Sequence, residues 1–156
     1  MNHSYFYPGV LLLTAFFIQD AFALKWAWLI QMQTNETFKQ LTGLVLVSYL
    51  AHQWYLSVLR LRGRMETARI KLPRHKQLGA LAPLVFYLHS HQIGYAYLFL
   101  LSSLYFANVA IGLFNQKIIG IQSKWFLYGW MIVHVALSVF IVILTSYHAF
   151  IAFYYE

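Results

Sequence analysis

Two long stretches of this chain carry no formal charge. Gly79 to Phe114 is 36 residues without Asp, Glu, Lys or Arg, and Trp125 to Tyr155 is another 31. A soluble fold of 156 residues leaves much of its surface wet and draws on about 25% charged residues. Here 10% are charged, 61% are hydrophobic, and the mean hydropathy is +0.60. The sequence therefore predicts an all-α integral membrane bundle that forms a single transmembrane domain over 1–156. Four or five spans of about 20 residues consume nearly the whole length. No room remains for a nucleotide-binding module or a soluble active site.

The basic residues are concentrated. Seven of eleven lie between Arg60 and Lys76. The positive-inside rule accounts for one such loop without invoking nucleic acid, and it places residues 60–76 on the cytoplasmic side. No basic region precedes the first apolar run, so no cleavable signal is expected. There is no cysteine, which excludes disulfides and thiolate ligation and leaves histidine as the main metal ligand.

Apolar runs are read from about Tyr7 to Ile30 and from about Phe38 to Leu59, with a polar loop over 31–36 between them. Asn35 opens a short glycosylation-type sequon. As one helix, Gly79–Phe114 would be about 54 Å long, against a hydrocarbon core of about 30 Å. The sequence thus predicts a split near Gln92-Ile93-Gly94. The first part would begin at Pro73 as a first helical residue and end near His91. One long helix kinked at Pro83 is the alternative. Five spans put Lys117 and Lys124 on the side of the basic loop and are preferred; four is the runner-up.

Histidine spacing carries the chemistry. His75 and His89 are 14 apart, as are His134 and His148. Fourteen residues make about 3.9 turns and about 21 Å, so each pair would share a helix face. Two helices so equipped would offer two stacked sites with one imidazole from each, which suits the axial ligands of two b haems. Gly79 would let a flat macrocycle approach the backbone. Arg74 and Lys76, with Arg69 and Lys71, would pair with propionates. Tyr87, Trp130 and Tyr147 are candidates for the porphyrin edges. Competing readings exist. A histidine in an apolar span also serves as a hydrogen bond between helices. His75 in a basic loop also has a lesser reading, as an interfacial cation. His91 or His52 are substitute ligands; His52 also reads as a packing or proton-handling group. His3 is incidental. Asp20 either snorkels toward Lys25 or handles protons beside a quinone.

The stretch Arg74-His75-Lys76-Gln77-Leu78-Gly79, followed by His89, resembles the third helix of the ferric reductase-like transmembrane family. His134-Val135-Ala136-Leu137-Ser138 through Tyr147-His148 is similar to that family's second ligand helix. Cytochrome b561-like proteins are the second resemblance. The first covers about half the chain and implies two b haems. His75 and His134 would hold one and His89 and His148 the other if the two helices are parallel. Antiparallel helices in a four-span chain would exchange the partners. The resemblance further implies a bacterial inner-membrane location and an electron-transfer subunit. Its partners would be other membrane or peripheral redox subunits, with quinone as a candidate donor or acceptor. No flavin or nicotinamide domain is present, so self-contained reductase activity is not expected. A haem-free accessory subunit of a membrane complex is the alternative.

Overall fold

The computed structural model describes residues 4–121 and 123–155. Among them it is all helical, as expected, in eight segments: α1 Phe6–Ala21, α2 Ala27–Gln33, α3 Glu36–Leu61, α4 Met65–Ala80, α5 Ala82–His89, α6 Tyr97–Leu113, α7 Gln116–Ile119 and α8 Lys124–Tyr155. The chain divides into two compact units, 1–92 and 93–156.

In the first unit, α3 runs antiparallel to α4 and α5. Tyr49 donates to the Leu78 carbonyl at 2.8 Å, and Thr42 meets His89 farther along. Helix α1 runs the other way from α3. Its start meets α4 through Tyr5 and Lys76, and its Phe16 packs edge-on against Phe86 of α5 at 5.5 Å. Leu56, Leu59 and Ala68 close the α3–α4 seam at its basic end, with Leu72 against them.

The helix ends follow from local chemistry. Helix α3 stops in a Schellman turn. Gly63 takes φ +70°, its N–H bonds Arg60, and the Arg64 N–H bonds Leu59. Helix α1 ends in the same turn with Ala23 at φ 49°, and Gln19 Nε2 holds the Leu24 carbonyl at 2.8 Å. The apolar run 7–30 is therefore broken at 22–26 and is not one segment. The polar stretch 31–36 is likewise not all loop, because α2 continues to Gln33. The Asn35 side chain accepts from the Phe38 N–H and caps α3.

Three further expectations are corrected. Most of the basic segment is helix, since only 62–64 separate α3 from α4. Pro73 lies inside α4 rather than at its start. Both Pro73 and Arg69, whose carbonyl it leaves without a helical donor, are exposed, so solvent or headgroups can serve that carbonyl. The break falls instead at Leu81, two residues before Pro83. A buried proline ring excludes the carbonyl four residues back, and the N–H groups of Leu84 and Val85 restart the ladder on Leu81. His75 and His89 thus sit on different helices, so the 3.9-turn count does not apply to them. The predicted split after His91 is present as the turn 90–96. Gly94 there has φ +81°, and a Cβ would stand 2.9 Å from Leu98 Cβ. One kinked helix over 79–114 is excluded.

In the second unit α6 and α8 are antiparallel. Tyr97 meets His148, Asn108 meets Ser138, and Trp130 meets Ile111. Helix α8 is the one helix among the described residues both long and apolar enough to cross a membrane. The most apolar 18 residues within Lys124–Tyr154 have a mean hydropathy of 2.3, and only 6% of those are buried. Helices α1 and α6 are apolar but shorter, at 16 and 17 residues.

Candidate functional site: the histidine environments

Helix α8 presents its histidines as the spacing predicts. His134 and His148 share one unbroken helix and one half-buried stripe, which also holds Trp130, Ser138 and buried Ile141. That stripe packs on α6. The His134 ring lies flat on Trp130, with centroids 5.5 Å apart and planes at 8°. Trp130 Nε1 in turn donates to the Ile111 carbonyl at 2.8 Å. Gly112 of α6 gives the ring its room, because a Cβ there would stand 3.3 Å from His134 Cε1. Ser138 donates to the His134 carbonyl at 2.8 Å and receives Asn108 at 3.1 Å. His148 Nδ1 lies 3.4 Å from the Tyr97 hydroxyl, and Tyr97 also packs on Tyr147.

His89 ends α5 against α3. Gly43 plays the part of Gly112, since a Cβ there would stand 3.3 Å from His89 Cε1. Thr42 Oγ1 lies 2.8 Å from the Phe38 carbonyl, 3.1 Å from the Lys39 carbonyl and 3.2 Å from His89 Nδ1. Its one proton can serve any of these acceptors, and the contact at Nδ1 orients the ring. Histidine ligands are ordinarily oriented by such a contact at the ring nitrogen that does not face the metal.

His91 is held the same way by another residue. Buried Gln33 donates Nε2 to the carbonyls of Tyr87 (2.8 Å) and Leu88 (3.3 Å), closing the end of α5. Its Oε1 is thereby turned to accept from His91 Nδ1. Burial lowers the His91 pKa below the usual imidazole value; Lys25 lowers it further and Asp20 opposes this. His89 and His91 thus occupy separate environments.

His75, which the sequence paired with His89, and His52, which it left unmatched, line one pocket between α4 and α3 with Tyr55, Leu56, Lys71 and Arg74. Lys76 instead turns to α1. Its Nζ is 3.5 Å from the Tyr5 hydroxyl and 5.4 Å from the ring centroid. Gly79 faces α3, where its missing Cβ would meet Gln53 Oε1 at 4.0 Å. His3 lies outside the described residues. Among the described residues no three His, Asp or Glu side chains converge as a metal cage.

Sequence reasoning missed Thr42, Gly43, Gln33, Tyr97 and Gly112. Only the glycines left a trace, as helix-weakening residues inside apolar runs. Imidazole nitrogen is a donor that haem iron accepts, and the four candidate histidines stand against different partners: His89 by Thr42, His134 on Trp130, His148 by Tyr97 and His75 beside His52. Comparison with protein-family models, curated proteins and solved structures finds no match.

Proposed function

We propose that this protein is a membrane-embedded b-type cytochrome subunit in which His75, His89, His134 and His148 would hold two haems. One observation carries the reading. Helix α8 is membrane-long and charge-free between Lys124 and its last described residue, and it holds two imidazoles on one stripe, 14 residues and about 21 Å apart. Intramembrane ionisable groups are costly and are kept where they serve a function. The contact of Thr42 with His89 Nδ1, which leaves the ring oriented through that nitrogen, supports the same reading.

When bound, haem supplies one-electron transfer at iron. The chain's own residues do the rest. Thr42 orients His89, Trp130 and Gly112 fix the plane of His134, and the apolar helices exclude water and keep the local dielectric low. Arg74 is the candidate partner for a propionate, as a fixed charge able to make two parallel hydrogen bonds. Five passes fit the alternation seen within the units: α1, α3 and α4–α5 reverse direction in turn, and so do α6 and α8. The 16- and 17-residue helices then cross by thinning the bilayer locally or through snorkelling flanks. Such a subunit passes electrons between partners, with quinone or another redox subunit at either end. The family resemblance in the ligand segments points the same way, toward ferric reductase-like di-haem proteins of a bacterial inner membrane.

A second reading has its own support. Thr42–His89 and Tyr97–His148 already bridge helices, as histidines do in a haem-free accessory subunit. The dithionite-reduced minus oxidised spectrum of the purified protein separates the two. Sharp b-type bands, with about two haems per chain expected from two bis-imidazole sites, sustain the first. A folded, colourless preparation establishes the second.

A further inference from the structure

The pocket between α3 and α4 is built from two matching triads. His52, Tyr55 and Leu56 stand at i, i+3 and i+4 on α3; Lys71, Arg74 and His75 stand at i, i+3 and i+4 on α4. That spacing puts each triad on one helix face. Leu56 closes the floor and is buried with Leu59 and Ala68. The walls carry two fixed cations, two imidazoles and a phenol, and no carboxylate is among the lining residues. Lys76, the next cation on α4, is engaged by Tyr5 and is not part of the lining.

Such a lining is matched to an anion. Two permanent positive charges share one concavity, so their mutual repulsion falls when a doubly or singly negative group enters. Arg74 brings a planar fork of donors and Lys71 a compact charge, the two modes by which proteins hold tetrahedral oxyanions. Tyr55 adds a neutral donor. The size agrees. The cavity measures about 50 Å³, room for roughly three to five water-sized groups at about 10–15 Å³ each. A phosphate group, one phosphorus and four oxygens, is of that size. Basic pockets between helices on the positive side of a membrane protein are also where anionic headgroups bind.

We infer that the pocket formed by His52, Tyr55, Lys71, Arg74 and His75 binds a phosphate group. The group comes either from the headgroup of an anionic lipid or from free phosphate in solution.

The test uses the full chain purified in detergent. Inorganic phosphate binding is measured by titration calorimetry. Retained phosphatidylglycerol is counted by native mass spectrometry after exchange from nanodiscs of phosphatidylglycerol in phosphatidylcholine. The variant Lys71→Gln/Arg74→Gln empties the pocket of fixed charge. Arg62→Gln/Arg64→Gln removes equal charge from the neighbouring turn. The pocket variant is expected to lose at least tenfold in affinity for the phosphate group, and the turn variant to stay within about threefold. Arg74→Lys keeps the charge without the fork and falls between them, which guards against misreading a folding defect in the double variant. A retained lipid lost only in the pocket variant identifies the headgroup as source. Calorimetric binding lost only in that variant, with no lipid retained, identifies free phosphate. Equal losses in both double variants, or no binding of either probe to the unaltered chain, overturn the inference. So does a pocket variant that loses haem while phosphate-group binding is unchanged, because the cations then serve a propionate. His75 and Arg74 also serve the haem in the proposed function, so haem content is recorded for each preparation; phosphate-group binding to haem-free chains that is lost in the pocket variant sustains the inference whether or not the cytochrome reading holds.

Discussion

The two units solve the same problem by different means. Residues 4–92 hold nearly all the charge and are assembled from five helical pieces. Side chains stitched onto backbone groups secure the ends: Gln19 on Leu24, Gln33 on Tyr87 and Leu88, Tyr49 on Leu78. Residues 93–155 contain one antiparallel pair; the end of its shorter member α6 is stitched likewise, by Trp130 on Ile111 and Asn115 on Leu113, whereas the long member α8 runs unbroken. The difference traces to proline and to charge. Pro83 forces a break that a neighbouring hydroxyl helps to satisfy, whereas α8 has neither proline nor an internal formal charge over 31 residues. Histidines on α8 therefore inherit a shared face from the helix. Those of the first unit are placed one by one, each by a separate partner.

Haem content breaks or sharpens this contrast most strongly. His148→Ala is expected to remove at least one of the two haems, read from the pyridine haemochrome ratio, and His134→Ala/His148→Ala to remove both. His91→Ala should leave the ratio unchanged, because Gln33 holds that ring apart from His89. Equal losses from His91→Ala and His89→Ala would erase the distinction drawn between these two residues.

The paired glycines come next. Gly43→Ala and Gly112→Ala each drive a methyl to 3.3 Å from an imidazole that is already held, by Thr42 in one unit and by Trp130 in the other. Overpacking of this kind costs about 1–3 kcal/mol. Thermal unfolding followed by helicity should show both variants destabilised, with a shifted Soret band in any haem-loaded preparation. An unchanged melt for one would mean that its ring yields freely.

Polar stitching should matter more in the first unit. Gln33→Leu strands the carbonyls of Tyr87 and Leu88 and the N–H of His91, at about 1–3 kcal/mol. Asn108→Leu in the second unit removes one hydrogen bond between helices, a contribution of about 0.6 kcal/mol in a membrane setting. Comparable losses would show that the second unit relies on its polar contacts as heavily as the first.

The smallest effect is a pH dependence confined to the first unit. Burial lowers the His91 pKa in the folded state. The unfolded chain then binds the proton more readily, so stability is fully present above about pH 6.5 and is lost as the pH falls through the folded value. Melting temperatures across pH 7.5 to 5 should decline less steeply in His91→Gln than in the parent. A parallel decline would assign the dependence to other groups.

The sequence by itself determined that the described chain is helical; of the five spans it led us to expect, only α8 is a described helix long and apolar enough for a bilayer. It also determined that His134 and His148 share a face, and that the chain turns near Gly94. These follow from charge depletion, from the 3.6-residue period and from the positive φ that glycine permits, all of which act within a few turns of the chain. Only the tertiary structure decided that His75 and His89 stand on separate helices and that His52 joins His75 in one pocket. It alone set Thr42 against His89 and Gln33 against His91. Those outcomes depend on which helix lies against which, and on where a buried proline breaks the hydrogen-bond ladder. Spacing counted along the sequence holds only where the helix beneath it is continuous, as α8 is and as α4–α5 is not.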